Sequence, residues 1–186
     1  MRSNRSCWLL SGRTTHQYAY LLTTGSGVSE ITALNDHEMI VDERDGKGLG
    51  DDSVAVVKKI YKIDLSGAQE VSGIVGAANL LGKANTKTLF LDIVAALNLN
   101  GIGSSDIPAK LEGLAFGQDV VVNGVRKHTL YVSNDNDYIP VVTDTSHPNG
   151  IDNANKFFVF TFDDSDLPGL VPQDTKQFHP QDNDQQ

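Results

Sequence analysis

Six acidic residues of this 186-residue chain recur in the same pattern in two separate stretches. Glu30 lies in the short apolar stretch GVSEITAL, and Glu112, 82 residues later, lies in the similar stretch KLEGLAFG. In both copies the next apolar stretch ends in two further acids, which are Glu43 and Asp45, then Asp135 and Asp137. Repetition of one acid-bearing unit indicates that the chain contains the same structural unit twice.

Carboxylates that converge in a half-buried place repel one another unless a cation neutralises them. A hard cation such as Ca²⁺ prefers several carboxylate and carbonyl oxygens, so the six acids are candidate calcium ligands. They form no EF-hand loop, because NDNDY lacks the glycine and the distant glutamate of that motif. The alternative is that these acids are solvated carboxylates at strand ends or in turns.

Two basic residues follow the first strand end. Arg44 lies between two acids, and Lys47 follows in a glycine-rich loop. The planar fork of an arginine can clamp a phosphate or a carboxylate, so these residues are candidates for substrate binding. The alternative is that Arg44 pairs with its own acidic neighbours.

Nucleophilic catalysis has little support in the sequence. No GxSxG motif occurs, and the histidines are scattered over turns and loops at positions 16, 37, 128, 147 and 179. The sequence therefore predicts no catalytic triad.

Composition limits the classes of partner. An excess of 24 acidic over 15 basic residues gives a formal charge of −9, which argues against a nucleic-acid partner. The one cysteine excludes an internal disulfide, and no apolar run is long enough to span a membrane. The apolar run at 7–10 is too short for the hydrophobic region of a signal peptide, so this chain shows no export signal.

Alternating apolar residues and turn residues predict a mainly β structure. Predicted strands lie at 17–23, 29–34, 39–43, 54–65, 86–93 and 156–163, with a hairpin around 123–124 and a short helix at 93–99. We expect an irregular amino terminus at 1–16, a long crossover at 66–84 and a disordered polar tail at 166–186.

The predicted strands fall into two units, at about 27–93 and 108–165. Each unit begins with a glutamate-bearing inner strand and continues through two middle strands, but only the first has an outer strand. Repeated four-stranded sheets are typical of β-propeller blades, so the sequence predicts an all-β fold that is a partial β-propeller of about two antiparallel blades. In such a fold Glu30 and Glu112 would face one shared axis.

The ordered set of motifs resembles the phytase-like family described as "esterase-like activity of phytase". The matching segments are GVSEITAL, EMIVDERDGKG, KKIYKIDL, KTLFLDI, KLEGLAFGQD, TLYVSNDNDY and NKFFVFTFD, which together cover about residues 17–165. The resemblance implies a propeller-like fold, export to an extracellular or periplasmic place, and calcium that bridges the protein and a substrate phosphate. Family members are about twice this long or more, so we expect a C-terminal fragment or a truncated product.

Two functions of different classes follow. The first is a calcium-assisted hydrolase of phosphate esters, in which Glu30, Glu112 and Arg44 are catalytic and Arg44 and Lys47 bind a small phosphorylated or ester substrate. The second is a non-catalytic interaction or assembly module, in which the acids only solvate the surface. Because two blades leave open sheet edges, either self-association or missing blades from a longer chain would complete the structure.

Overall fold

The protein is an all-β structure with a few short helices, seen in a computed structural model that describes residues 6–11 and 14–172. The elements are β1 Ser6–Ser11, β2 Thr14–Tyr20, β3 Gly27–Ala33, β4 Glu38–Arg44, β5 Lys58–Asp64, α1 Ala77–Leu81, β6 Ala84–Asn85, β7 Lys87–Asp92, α2 Ile93–Leu99, β8 Leu111–Phe116, β9 Val120–Val122, β10 Val125–Asn134, β11 Val141–Val142, β12 Ile151–Asp152 and β13 Phe157–Phe162. No helix within these ranges combines the length and the apolar character that crossing a membrane requires.

The central sheet has four antiparallel strands in the order β3-β4-β5-β7. Its first hairpin closes at Asn35, whose side-chain oxygen accepts hydrogen bonds from the backbone N–H groups of His37 and Glu38. Alternation along β4 places Met39 and Val41 on one face of the sheet and Ile40 on the other. Both faces of this sheet are therefore buried.

The carboxy-terminal sheet repeats the first three strands of the central sheet, in the order β8-β10-β13. The predicted hairpin at 123–124 is confirmed: it joins β9 to β10, and Asn123 and Gly124 both have the positive φ that a tight primed turn requires. Within the described ranges no strand pairs with the outer edge of β13, whereas β7 covers the matching edge of the central sheet.

The main core lies between these two sheets. It joins Ile40 and Ile60 of the central sheet to Leu111, Leu130 and Val132 of the carboxy-terminal sheet, and each of these side chains is completely buried. A smaller core on the other face of the central sheet packs against the amino-terminal sheet, which has the order β1-β2-β6. The central sheet therefore packs between the amino-terminal and carboxy-terminal sheets.

Helix α2 was predicted and is confirmed. It occupies 93–99 directly after β7, and the Asp92 carboxylate caps its first turn by accepting a hydrogen bond from the backbone N–H of Ala95. Ile93 and Leu97 lie on its buried face and pack into the main core.

Three expectations about irregular segments need correction. The predicted irregular amino terminus contains β1 and the start of β2, because the two segments pair with each other as an antiparallel hairpin. The predicted crossover loop contains α1 and the start of β6, which adds a parallel strand beside β2. Residues 166–172 are ordered, since Leu167 is buried in the main core and Val171 donates a backbone hydrogen bond to Leu34; the rest of the predicted disordered tail, 173–186, lies outside the described residues.

A short backbone connection holds the loop after β4 against the segment that enters β8. The N–H of Leu49 donates to the carbonyl of Ile107, and the N–H of Ala109 donates to the carbonyl of Leu49. Gly48 lies at this approach with φ +128°, and a Cβ atom there would be 2.3 Å from the carbonyl oxygen of Ile107. Only glycine fits this position without moving the backbone.

Gly48→Ala should therefore lower the free energy of unfolding by at least about 2 kcal/mol, because it adds backbone strain and a contact that only a backbone shift can relieve. Urea unfolding followed by circular dichroism would measure the change. The matched control is Gly46→Ala, two residues away, where a Cβ atom meets nothing within 4 Å and the expected change is within about 0.5 kcal/mol. Equal effects of the two variants would contradict the close approach.

Candidate functional site

The seam is the place where β3 and β4 of the central sheet meet β8 of the carboxy-terminal sheet. The edge strands β3 and β8 lie side by side, and the hydroxyl of Thr32 donates to the carbonyl of Leu114, 82 residues away. This is the separation of Glu30 and Glu112 in the sequence. The two glutamate-bearing strands are therefore neighbours at equivalent positions, as the repeat predicts.

A β-bulge interrupts each of these two strands near its glutamate. The pairing of β3 with β4 shifts between Val28 and Glu30, which leaves Ser29 without a cross-strand partner. The pairing of β8 with β10 shifts between Leu111 and Gly113, which leaves Glu112 in the bulge. The two glutamates therefore differ in their pairing, since Glu30 lies opposite Asp42 and Glu112 is the unpaired residue of its bulge.

Arg44 joins the two sheets across the seam. Its guanidinium donates to the carboxylate of Glu112, to the hydroxyl of Ser29 at 2.8 Å and to the backbone carbonyl of Asp45 at 3.4 Å. All three nitrogens of the fork are thus bound by protein groups. The anion clamp that the sequence suggests for Arg44 would require Glu112, whose side chain is 36% exposed, to give way to the ligand.

Asp42 is the group at the seam that sequence reasoning missed. It lies opposite Glu30 in the β3–β4 pairing, is 0% exposed, and neither of its carboxylate oxygens has a hydrogen-bond partner. Burial raises the pKa of Asp42 to about 7; Arg44 and Lys58 act to lower it, and Glu30 and Glu112 act to raise it. The signal was available, because Asp42 is two residues after the core residue Ile40 and so lies on the same face of β4.

Lys58, at the start of β5 beside the seam, was also missed. Its side chain is fully buried, and its ammonium donates to Oδ1 of Asp45 at 2.7 Å and to the carbonyls of Asp45, Lys47 and Ala109 at 2.8–2.9 Å. Burial lowers the pKa of the Lys58 ammonium, and Asp45 opposes that shift. Burial acts to raise the pKa of Asp45, but the bonds from Lys58 and from backbone N–H groups bring it below its usual value.

Glu43 lies on the opposite face of the central sheet and does not join the other acids. Its carboxylate accepts hydrogen bonds from the Tyr20 hydroxyl at 2.5 Å and from the Thr23 backbone at 2.9 Å, and it pairs with Lys87. Burial acts to raise the pKa of Glu43, but these bonds lower it overall. Since neighbouring residues of a strand point to opposite faces, Glu43 cannot share a site with Asp42.

Asp135 and Asp137 lie in the loop after β10, beside a cleft of about 110 Å³. The cleft also includes Arg44 and Lys110 in its lining, and Lys110 donates to Asp137 at 2.6 Å. The structure therefore brings Arg44, Asp135 and Asp137 together at the mouth of the seam. Lys47 is exposed and does not line this cleft; its backbone carbonyl accepts from the Lys58 ammonium, and its backbone N–H donates to the Asp45 carboxylate.

The six predicted calcium ligands are divided among these places, and most of them already bind a cationic side chain. The pairs are Glu43 with Lys87, Asp45 with Lys58, Glu112 with Arg44, and Asp137 with Lys110. In the described part of the chain, no group of three or more histidine, cysteine, aspartate or glutamate residues could hold a metal ion. Calcium at these residues stays a prediction, and no reaction step is derived through it.

Three histidines bind carboxylates away from the seam. His37 contacts Asp64, His128 lies between Asp119 and Asp164, and His147 lies between Asp106 and Asp144. In His128 and His147 both ring nitrogens are bound by acids, which leaves neither ring free to act as the base for a hydroxyl nucleophile.

The comparisons with known proteins give one positive result. The sequence model of a family described as "Phytase-like: Esterase-like activity of phytase" matches residues 6–138. This range includes the amino-terminal and central sheets, β8, β9 and β10. The chain matches no curated protein and no solved structure.

The buried Asp42 makes stability depend on pH. Its pKa of about 7 in the folded state lies above the ordinary value of 3.8 for an aspartate, so between these two pH values the folded chain holds a proton that the unfolded chain has lost. Its contribution to the free energy of unfolding should fall by about 4 kcal/mol as the pH rises from below 4 to above 7. Asp42→Asn should remove this part of the pH dependence. The free energy of unfolding of the variant should therefore rise relative to that of the wild type between pH 5 and 8.

Urea unfolding at pH 5, 6, 7 and 8 would measure this difference. The matched control is Asp152→Asn, an exposed acid on β12, which should follow the wild-type curve at every pH. If the curve for Asp42→Asn ran parallel to that of the wild type, Asp42 would not be the buried titrating group.

Proposed function

This chain belongs to the phytase-like family, the proteins with the esterase-like activity of phytase, and on that premise we propose that it forms part of a β-propeller that hydrolyses ester bonds. Phosphate esters are the proposed substrates, and the proposed reaction site is the seam with its cleft. The family points to hydrolysis as the chemistry, and the seam is the place where the chain gathers its charged groups.

The arrangement of the sheets supports the propeller. The central sheet is an antiparallel meander of four strands, which is the form of a propeller blade, and the carboxy-terminal sheet repeats its first three strands. The inner strands of the two sheets, β3 and β8, lie next to each other, as they would around a central channel. We propose about two blades, with the remaining blades supplied by a longer chain or by other chains.

The contact between Arg44 and Glu112 is the observation that carries the proposed reaction. Both residues were candidates from the sequence, and they meet across the seam beside the cleft. A phosphate ester offers Arg44 an anionic partner that can replace the Glu112 carboxylate, to which the guanidinium gives one of its nitrogens in this structure. When the substrate takes the guanidinium, Glu112 is released next to the bound phosphorus.

The released carboxylate can then accept the proton of an attacking water molecule. The water oxygen forms a bond to phosphorus, the ester P–O bond breaks, and the leaving alkoxide takes up the proton that Glu112 accepted, either directly or through solvent. Glu30, half-buried on the neighbouring strand, is the second carboxylate proposed to assist. Arg44 would stabilise the charge that develops on the phosphoryl oxygens.

Calcium, implied by the resemblance, stays a prediction. Among the described acids, Asp42 has the free oxygens that a cation would need, and Glu30 and Glu112 are near enough to affect its pKa. A bound calcium ion would neutralise this group and supply the positive charge that polarises a phosphoryl oxygen. Export to an extracellular or periplasmic place likewise stays a prediction from the family.

A non-catalytic assembly module is the second candidate, favoured by a separate observation. The face of the carboxy-terminal sheet that points away from the main core exposes Phe157 (71%), Val159 (49%) and Tyr131 (36%). Since the corresponding face of the central sheet is covered by another sheet, this surface is suited to contact a further sheet. The mass of the particle in solution distinguishes a monomer from an oligomer built through this surface.

The hydrolase proposal is tested by the release of 4-nitrophenol from 4-nitrophenyl phosphate. Arg44→Gln should lower kcat/KM at least about tenfold, because the phosphoryl group loses its cationic partner, and Glu112→Gln should lower kcat by a similar factor. The matched control is Arg126→Gln, an arginine that also pairs with an acid but is 68% exposed and remote from the cleft, and it should keep wild-type rates.

Circular dichroism melts of each variant would separate lost activity from lost folding. A folded wild-type chain without activity, or a Glu112→Gln variant with unchanged kcat, would contradict the hydrolase and favour the assembly module.

A further inference from the structure

The ammonium of Lys58 is surrounded like an ion in a coordination shell. Four oxygens converge on Nζ at 2.7–2.9 Å: Oδ1 and the carbonyl of Asp45, and the carbonyls of Lys47 and Ala109. An ammonium group has three N–H bonds, so four acceptors exceed the number that ordinary hydrogen bonding would use. Lys58 is 0% exposed, so the ammonium is enclosed by protein. Its four oxygen contacts are all to protein groups.

The oxygen cage, defined as these four oxygens, is held in place by bonds in which Lys58 takes no part. The second carboxylate oxygen of Asp45 accepts the backbone N–H groups of Val56 at 3.2 Å and Val57 at 2.9 Å. The segment that carries the Ala109 carbonyl is fixed by its backbone bonds to Leu49. The cage therefore has a framework of its own, and the ammonium occupies its centre.

We propose that the oxygen cage is a cation site which the chain fills with its own lysine, and that it takes a free monovalent cation when that lysine is shortened. One carboxylate and three carbonyls carry a single negative charge, which matches one ammonium or potassium ion. The distances of 2.7–2.9 Å exceed the roughly 2.3–2.6 Å of calcium–oxygen bonds, so the cage is too wide for calcium. Rings of carbonyl oxygens are the groups that replace the hydration shell of potassium.

Asp45 has a different role in this proposal from the one that the calcium prediction gives it. Asp45 was a candidate calcium ligand, but its carboxylate already holds the tethered cation that joins the two sheets. Where Lys58 connects the central sheet to the segment before β8, no metal ion is needed to neutralise Asp45. This inference is independent of the proposed hydrolysis, because it concerns the join behind the cleft and not the substrate.

The test is the chemical rescue of Lys58→Ala by ammonium chloride and by potassium chloride, with tetramethylammonium chloride at equal ionic strength as the reference salt. The variant should melt below the wild type in the reference salt. A cation at ten times its dissociation constant should raise the Tm of the variant by about 3–5 °C more than it raises that of the wild type.

Two control variants separate the cage from general salt effects. Lys58→Met fills the same space with an apolar side chain and should be destabilised without rescue, and Lys110→Ala removes an exposed lysine and should respond like the wild type. The proposal is overturned if Lys58→Ala gains nothing beyond the wild type, if Lys58→Met gains as much, or if Lys58→Ala stays unfolded in every salt.

A second measurement uses the intact lysine. Asp45→Asn keeps the shape of the cage but removes the carboxylate that favours the charged ammonium, so the like charge of Arg44 then acts against it with Asp42 still opposing that effect. Because the folded variant then favours neutral Lys58, its deficit in stability against the wild type should shrink as the pH rises from 8 to 9.5. A deficit that is constant over this range would mean that Asp45 serves only in packing, and would overturn the proposal.

Discussion

Burying a lysine completely costs several kcal/mol unless its charge is neutralised and its N–H groups are bound. Lys58 satisfies both conditions only when the loop after β4 and the segment before β8 are in place together, since each supplies part of its oxygen shell. The join between the central and carboxy-terminal sheets is therefore cooperative. Either sheet alone would leave the ammonium partly unsatisfied, so the charged seam and the apolar core between the sheets must form in the same state.

Strand alternation decides which charges meet at this join. Asp42 and Arg44 share the face of β4 that carries Ile40, whereas Glu43 between them points to the amino-terminal sheet. Alternation and turn residues were sufficient to predict the main strands, the helix after β7 and the hairpin before β10, but not β1 and β6. The repeat predicted the neighbouring positions of β3 and β8. A strict period of two along EMIVDERD would also have separated Glu43 from the other acids and identified Asp42 as an inward-facing acid.

Other parts of the site could not be read from the repeat. The bulges at Ser29 and Glu112 each depend on the pairing of two strands. Gly113 beside Glu112 is a residue type that favours a bulge, but it does not fix which residue is left unpaired. The oxygen shell of Lys58 depends on carbonyl groups, which every residue possesses, so its composition is set by the path of the loops alone. The pairing of Lys110 with Asp137 likewise follows from the left-handed backbone at Asp137, which turns the loop back over the cleft.

Joining two sheets through buried charged groups costs free energy, because these groups lose their hydration. Well-packed apolar residues often stabilise an interface as much as a buried ion pair or more, because they require no desolvation of charge. Here a core of isoleucine, leucine and valine lies directly beside the charged groups, so apolar side chains at the seam would extend this core. Asp42 is the clearest case, since its buried carboxyl has no hydrogen-bond partner and lowers stability at neutral pH. A strained or unsatisfied polar group that the fold retains at such a position is characteristic of functional sites. For this reason the charged seam, and not the exposed apolar face of the last sheet, is the stronger candidate for the chemistry of this family member.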